Sequence, residues 1–107
     1  MDKKRMARYE ARAKIVKALS HPARLLIVDE LAACRERCVC ELTEMIGTDM
    51  STVSRHLSRL KEAGIVADRK RGTTVYYRLC VKCIPGFLDC VESVIKANAE
   101  NQRALLE

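Results

Sequence analysis

Apolar residues recur at helical spacing in five stretches of this chain, and between the fourth and fifth a stretch of β-prone residues flanks a charged tip instead. From about Lys4 to Leu19, Met6, Tyr9, Ala13 and Val16 share one face and predict a first helix. Ser20-His-Pro22 reads as the start of a second. Ser20 can cap it, and Pro22 fits the first turn, where a missing N–H costs nothing. That helix runs through Leu25, Leu26, Val28 and Leu31 to about Ala33. A charged joint, Cys34-Arg-Glu-Arg37, leads to a short third helix from about Cys40 to Ile46, stopped by Gly47. In the fourth, Val53, Leu57 and Leu60 fall at i, i+4 and i+7, with Ser51 as the expected cap and Gly64 at the end.

From Ile65 to Leu79, β-prone residues flank a charged tip containing Gly72, which predicts a hairpin. A last helix begins at Ile84 or Pro85 and carries Ile84, Phe87, Leu88, Val91, Val94 and Ile95 on one stripe. The predicted fold is mainly α with a small β-hairpin, a winged helix-turn-helix. Residues 40–64 form the helix-turn-helix and 65–79 the wing, with added helices over about 4–19 and 84–104.

The fourth helix carries the chemistry. Opposite its apolar stripe, Thr52, Arg55 and Arg59 line up, with His56 at the edge, and such side chains suit base edges and phosphates in a major groove. Ser51 is counted with this group. Ser54 and Ser58 flank the face, better placed for the DNA backbone than for bases. Arg69, Lys70 and Arg71 at the wing tip are expected on neighbouring phosphates or in a minor groove. A solvated amphipathic helix beside a charged hairpin is the bland alternative. Agreement of cap, periodicity, polar face, Gly stop and basic hairpin outweighs it.

Composition sharpens this picture. The 107 residues suit one domain and a modest core, with only three Tyr, one Phe and no Trp. The formal charge of +6 and a pI near 9.2 favour a polyanion, double-stranded operator DNA in this reading. From Ser51 to Arg78 seven Lys/Arg stand against Glu62 and Asp68. The terminal helices have apolar faces with little to pack on inside one winged domain. They are expected to pair with a second copy, giving a two-fold homodimer that reads a palindrome with half-sites about one turn apart. The N-terminal Met-Asp-Lys-Lys-Arg has no apolar run and no membrane-spanning stretch follows, so the cytoplasm is expected.

Six cysteines in a reducing compartment suggest metal binding or redox sensing more than structural bridges. Thiolates select soft ions such as As(III), Sb(III), Cd(II), Pb(II) or Cu(I). Cys38 and Cys40 lie at a helix N-terminus beside Arg35 and Arg37, an arrangement expected to lower thiol pKa. In a regular helix residues i and i+2 point about 200° apart, so one ion held by both must bend that turn. Because this helix packs on the reading helix, capture would tilt the DNA-contacting unit.

Candidates for a further ligand are Cys83, Cys90 and Cys34. Cys83 and Cys90, about 10 Å apart on a continuous helix, could instead meet the partner's thiols in a second site. Cys80-Val-Lys-Cys83 has a C-x-x-C spacing, but no βαβ context and no plausible base support a thiol enzyme, so no enzymatic activity or organic cofactor is expected. The alternative signal is a disulfide or polysulfide switch under oxidant or sulfide stress, and a structural zinc is a third possibility.

The chain resembles the ArsR/SmtB family of metal-sensing repressors. The resemblance rests on Ser20-His-Pro-Ala-Arg-Leu-Leu-Ile-Val28, Cys38-Val-Cys-Glu-Leu42, Ser51-Thr-Val-Ser-Arg-His-Leu57, Leu60-Lys-Glu-Ala-Gly-Ile65 and Arg71-Gly-Thr-Thr-Val-Tyr-Tyr-Arg-Leu79. It implies a cytoplasmic homodimer that sits on an operator until a thiophilic ion binds. Cys-Val-Cys at the third helix looks like the arsenite-sensing branch, which implies As(III) as inducer. That branch often has a further Cys three residues on; here Thr43 stands there.

Overall fold

The hydrophobic stripe of the fourth helix organises everything around it. A computed structural model describes residues 1–107, with α1 (Lys3–Ala18), α2 (Pro22–Ala33), β1 (Arg37–Cys38), α3 (Val39–Ile46), α4 (Met50–Glu62), β2 (Val66–Arg71), β3 (Thr74–Leu79) and α5 (Ile84–Leu105). Val53, Leu57 and Leu60 of α4 are fully buried, against Ile27, Val28 and Leu31 of α2, Leu42 of α3, and Ile65, Val66 and Leu79 of the hairpin. The order is that of a winged helix-turn-helix.

The strands form one antiparallel sheet in the order β1-β3-β2. Val66 pairs with Leu79 and Arg71 with Thr74 across the hairpin, and Gly72 at its tip takes φ +64°, a conformation that favours glycine. The third strand was not anticipated. Arg37 and Cys38 pair with Tyr77 and Tyr76 on the open edge of β3, so the charged joint belongs to the wing as well as to the helices.

Two helix starts differ from expectation. Ser20 does not cap α2; His21 does, its Nδ1 accepting from the Ala23 N–H at 3.0 Å, while Pro22 stands in the first turn as expected. Ser51 does not cap α4; Asp49 does, accepting from the Thr52 N–H at 3.1 Å. A carboxylate there also complements the positive end of the helix dipole. Gly47, at φ +79°, closes α3 in the left-handed conformation and makes the turn into α4.

The terminal helices stand largely outside this core. No residue of α1 is buried, and only Ile84 of α5 is. The radius of gyration is 16.8 Å, against about 13 Å for a spherical domain of this length, because both helices project. Met6, Tyr9 and Val16 on α1 and Phe87, Val91, Val94 and Ile95 on α5 remain exposed, with Val94 at 58 %. No helix is long and apolar enough to cross a membrane.

Leu57→Ala, which empties the centre of the shared core, should lower unfolding free energy by about 3 kcal/mol. Denaturant unfolding at one fixed protein concentration measures it; a loss below about 1 kcal/mol would mean that the core does not hang on α4.

Candidate DNA interface and thiol site

On α4 the polar side is set by what the apolar side buries. Ser51, Arg55, Ser58 and Arg59 are exposed, and Thr52 and Ser54 half-buried. Asp49 shapes this face. Its carboxylate accepts from the hydroxyls of Ser51 and Thr52, the latter at 2.6 Å, and these bonds, Ser51 first, hold it well below the usual carboxylate range. With their protons committed to Asp49, both hydroxyls can act toward other partners only as acceptors. Arg55 Nη2 donates to Thr52 Oγ1 at 3.3 Å, and Arg59 pairs weakly with Glu62 at 3.5 Å. Arg69, Lys70 and Arg71 are exposed at the end of β2.

His56 does not belong to this surface. It is buried, its ring 4.3 Å from that of His21, and Arg24 Nε donates to its Nδ1 at 3.1 Å. Arg24 also donates to the Ala18 carbonyl at 3.2 Å, so it ties the end of α1 to the middle of α4. The α4 arc that meets α2 is wider than the Val53-Leu57-Leu60 stripe, and His56 falls inside it. Arg24 thus positions α4, a role the sequence did not reveal: there it figured only within the Ser20–Val28 motif.

The thiols fall into separate settings. Cys38 is the N-cap residue of α3 and is buried; Cys40, in the first turn, is exposed. Cys38 Sγ donates to Glu41 Oε1 at 3.1 Å, and the Cys38 N–H reaches the same oxygen at 3.1 Å. The expectation of a lowered thiol pKa is wrong for Cys38: burial first, and then the Glu41 carboxylate, push it up. The arginines do not serve it. Arg37 Nε bonds Glu30 Oε1 at 2.9 Å, its Nη1 bonds Glu41 Oε2 at 2.9 Å, and its Nη2 donates to Cys34 Sγ at 3.0 Å. Glu30 and Glu41 were missed, although Cys38-Val-Cys-Glu41 has the spacing of a capping box.

Cys80, Cys83 and Cys90 are exposed around the start of α5. Nowhere within one chain are three His, Cys, Asp or Glu side chains gathered as a metal cage. Thr43, half-buried on α3, donates its hydroxyl to the Val39 carbonyl at 2.7 Å and braces the first turn instead.

Charge is distributed unevenly. α1 carries seven basic residues against Glu10 alone, which equals the formal +6 of the whole chain, so all the rest is balanced. Basicity near α4 and the wing is therefore local.

Because Arg24 Nε donates to it, His56 Nδ1 must carry no proton. Burial first, then the charges of His21, Arg24 and Arg55, hold its pKa below the ordinary 6.5. The stability tied to this packing is complete above about pH 6.5 and declines as pH falls through the lowered value. Melting temperature should be level from neutral pH upward and drop on acidification below about 6.5, and His56→Asn should flatten that first drop. An unchanged profile in the variant would remove His56 from this role.

The comparisons with known proteins agree with this geometry. Residues 21–68 match the family described as bacterial regulatory protein, arsR family. The chain is 39 % identical over 87 residues to an arsenic resistance transcriptional regulator of Pseudomonas putida, covering 80 % of this chain and 67 % of that protein. It is 43 % identical over 67 residues to a cadmium resistance transcriptional regulatory protein homolog of Staphylococcus aureus, covering 63 % and 55 %. The homodimeric winged helix-turn-helix DNA-binding domain of a possible ArsR-family regulator from Mycobacterium bovis superposes with a TM-score of 0.78 at 31 % identity, over 94 % of this chain and 93 % of that one. The chain belongs to the ArsR family and is a winged helix-turn-helix transcriptional regulator.

Proposed function

We propose that this protein is a homodimeric repressor that leaves its operator when Cys38 and Cys40 capture a thiophilic ion, arsenite foremost and antimonite next. One observation carries the reading. Cys38 is at once the N-cap residue of α3, which packs on the reading helix α4, and a rung of the sheet opposite Tyr76 of the wing. An ion that pulls on Cys38 therefore moves the two DNA-facing elements together. Relatives named for arsenic and cadmium resistance support a thiophilic inducer.

Thiol donors suit such an ion by their softness. Cys38, the N-cap residue, and Cys40, in the first turn of α3, supply two sulfurs. The third comes from Cys34, linked through Arg37 to the Glu41 that Cys38 contacts, or from Cys83 or Cys90 at the start of α5. The protonated state of Cys38 favours arsenite in particular. Each thiol that bonds to As(OH)₃ sends its proton out with a hydroxyl as water, so capture releases no net proton. A divalent ion must instead expel the proton to solvent. The same protonation, with burial, argues against Cys38 as an oxidant sensor, since the thiolate is the reactive form.

DNA contact is assigned to Ser51, Thr52, Arg55 and Arg59 in the major groove, to Ser54 on the flanking backbone, and to Arg69, Lys70 and Arg71 from the wing. The apolar stripes of α1 and α5 form the dimer, as their exposure and the homodimeric Mycobacterium bovis domain support. Such a regulator works in the cytoplasm.

Release of a fluorescent duplex should be titratable with As(III), and Cys38→Ser/Cys40→Ser should bind DNA normally but ignore the ion. Release by As(III) should change little between about pH 6.5 and 8, whereas Cd(II) should weaken by up to about tenfold per unit of acidification for each thiol deprotonated. Normal release of the double variant by every thiophilic ion sinks the proposal. Val91→Glu should shift sedimentation from dimer to monomer and weaken duplex binding by at least about tenfold; a dimer that persists would move the interface elsewhere.

A further inference from the structure

The joint between α2 and α3 faces two ways. Cys34 and Arg37 turn toward Glu30 and Glu41. Arg35 and Glu36 turn instead toward the outer face of the sheet, where with Arg69, Arg71, Tyr76 and Arg78 they line a shallow concavity of about 710 Å³. Register explains the grouping. Arg69 lies opposite Tyr76, Ala67 opposite Arg78 and Arg71 opposite Thr74, so alternate residues of both strands share that side.

One arginine of the four is already occupied. Arg71 Nη2 donates to Glu36 Oε1 at 2.5 Å, and its guanidinium lies over the Tyr76 ring, 4.0 Å from the centroid. Asp68, at the edge of the concavity, is committed to Lys61 at 3.0 Å. Arg35, Arg69 and Arg78 are exposed and pair with no carboxylate. Planar guanidiniums spread over a surface about as wide as the wing suit successive phosphates of a duplex, which position a protein without reading bases.

We propose that this concavity is a second DNA-backbone surface, adding Arg35 and Arg78 to the wing-tip residues. Glu36 is an internal stand-in for phosphate, holding Arg71 against Tyr76 until a duplex displaces it. The inference rests on the DNA-binding reading given above.

Salt-dependent binding of the whole protein to a fluorescent duplex, selected for tight binding, and to a random duplex tests it. Arg35→Ala and Arg78→Ala should each weaken both duplexes alike, by about threefold or more, and flatten the log–log salt slope by about 0.9. Glu36→Gln should bind about three- to tenfold tighter and steepen the slope by a similar amount. Asp29→Asn, an exposed change of equal charge on α2, should alter affinity by less than about twofold. Slopes that match wild type in all three variants, or Glu36→Gln no different from Asp29→Asn, overturn the inference. So does displacement of DNA by inorganic phosphate at low millimolar concentration, which would mark a small-anion site. The layers fail separately: wild type that binds no duplex defeats the underlying reading. If wild type binds and Arg55→Ala loses sequence preference while these variants behave as wild type, only the inference falls.

Discussion

Arg37 joins more of this molecule than any other side chain. Its guanidinium bonds a carboxylate on α2, a carboxylate on α3 and the thiol of Cys34, and its backbone pairs with Tyr77 in the wing. These bonds raise its own pKa further, Glu30 contributing most and the nearby Cys34 next. Without the arginine, Glu30 and Glu41 would face each other's charge across the joint. A half-buried network of this kind holds its members in place collectively, more firmly than isolated surface pairs do.

The thiol chemistry is therefore embedded in the packing. Cys38 and Cys34 stand on either side of the network, and Glu41 is shared between the Cys38 thiol, the Cys38 backbone and Arg37. Taking Cys38 away from Glu41 leaves a carboxylate with one partner fewer at the N-terminus of α3. α3 packs on α4, so in the proposed switch a disturbance of that one turn is passed on toward the face that carries Arg55 and Arg59.

Much of the architecture was legible because it rests on local signals. Gly47, Pro22 and the Val53-Leu57-Leu60 stripe announce a stop, a start and a buried face within a few residues of themselves. What escaped depends on partners distant in sequence. β1 is two residues long, too short to alternate, and exists only because β3 offers an open edge. Asp49-Met-Ser-Thr52 contains three possible caps, and spacing alone does not choose the carboxylate. His56 looked available because Arg24, its donor, lies 32 residues earlier. The thiol state of Cys38 was misjudged for the same reason: adjacent arginines suggested an electropositive site, but Arg37 spends its charge on Glu30 and Glu41.

The placement of charge on α1 has a consequence of its own. The helix that holds the entire excess of lysine and arginine is one of the two that meet across the proposed dimer, so association crowds like charges that ions in the medium relieve. Counterion release at the operator runs the other way. In the proposed dimer, raising the ionic strength therefore acts on the pairing of subunits and on their hold on the duplex in opposite directions.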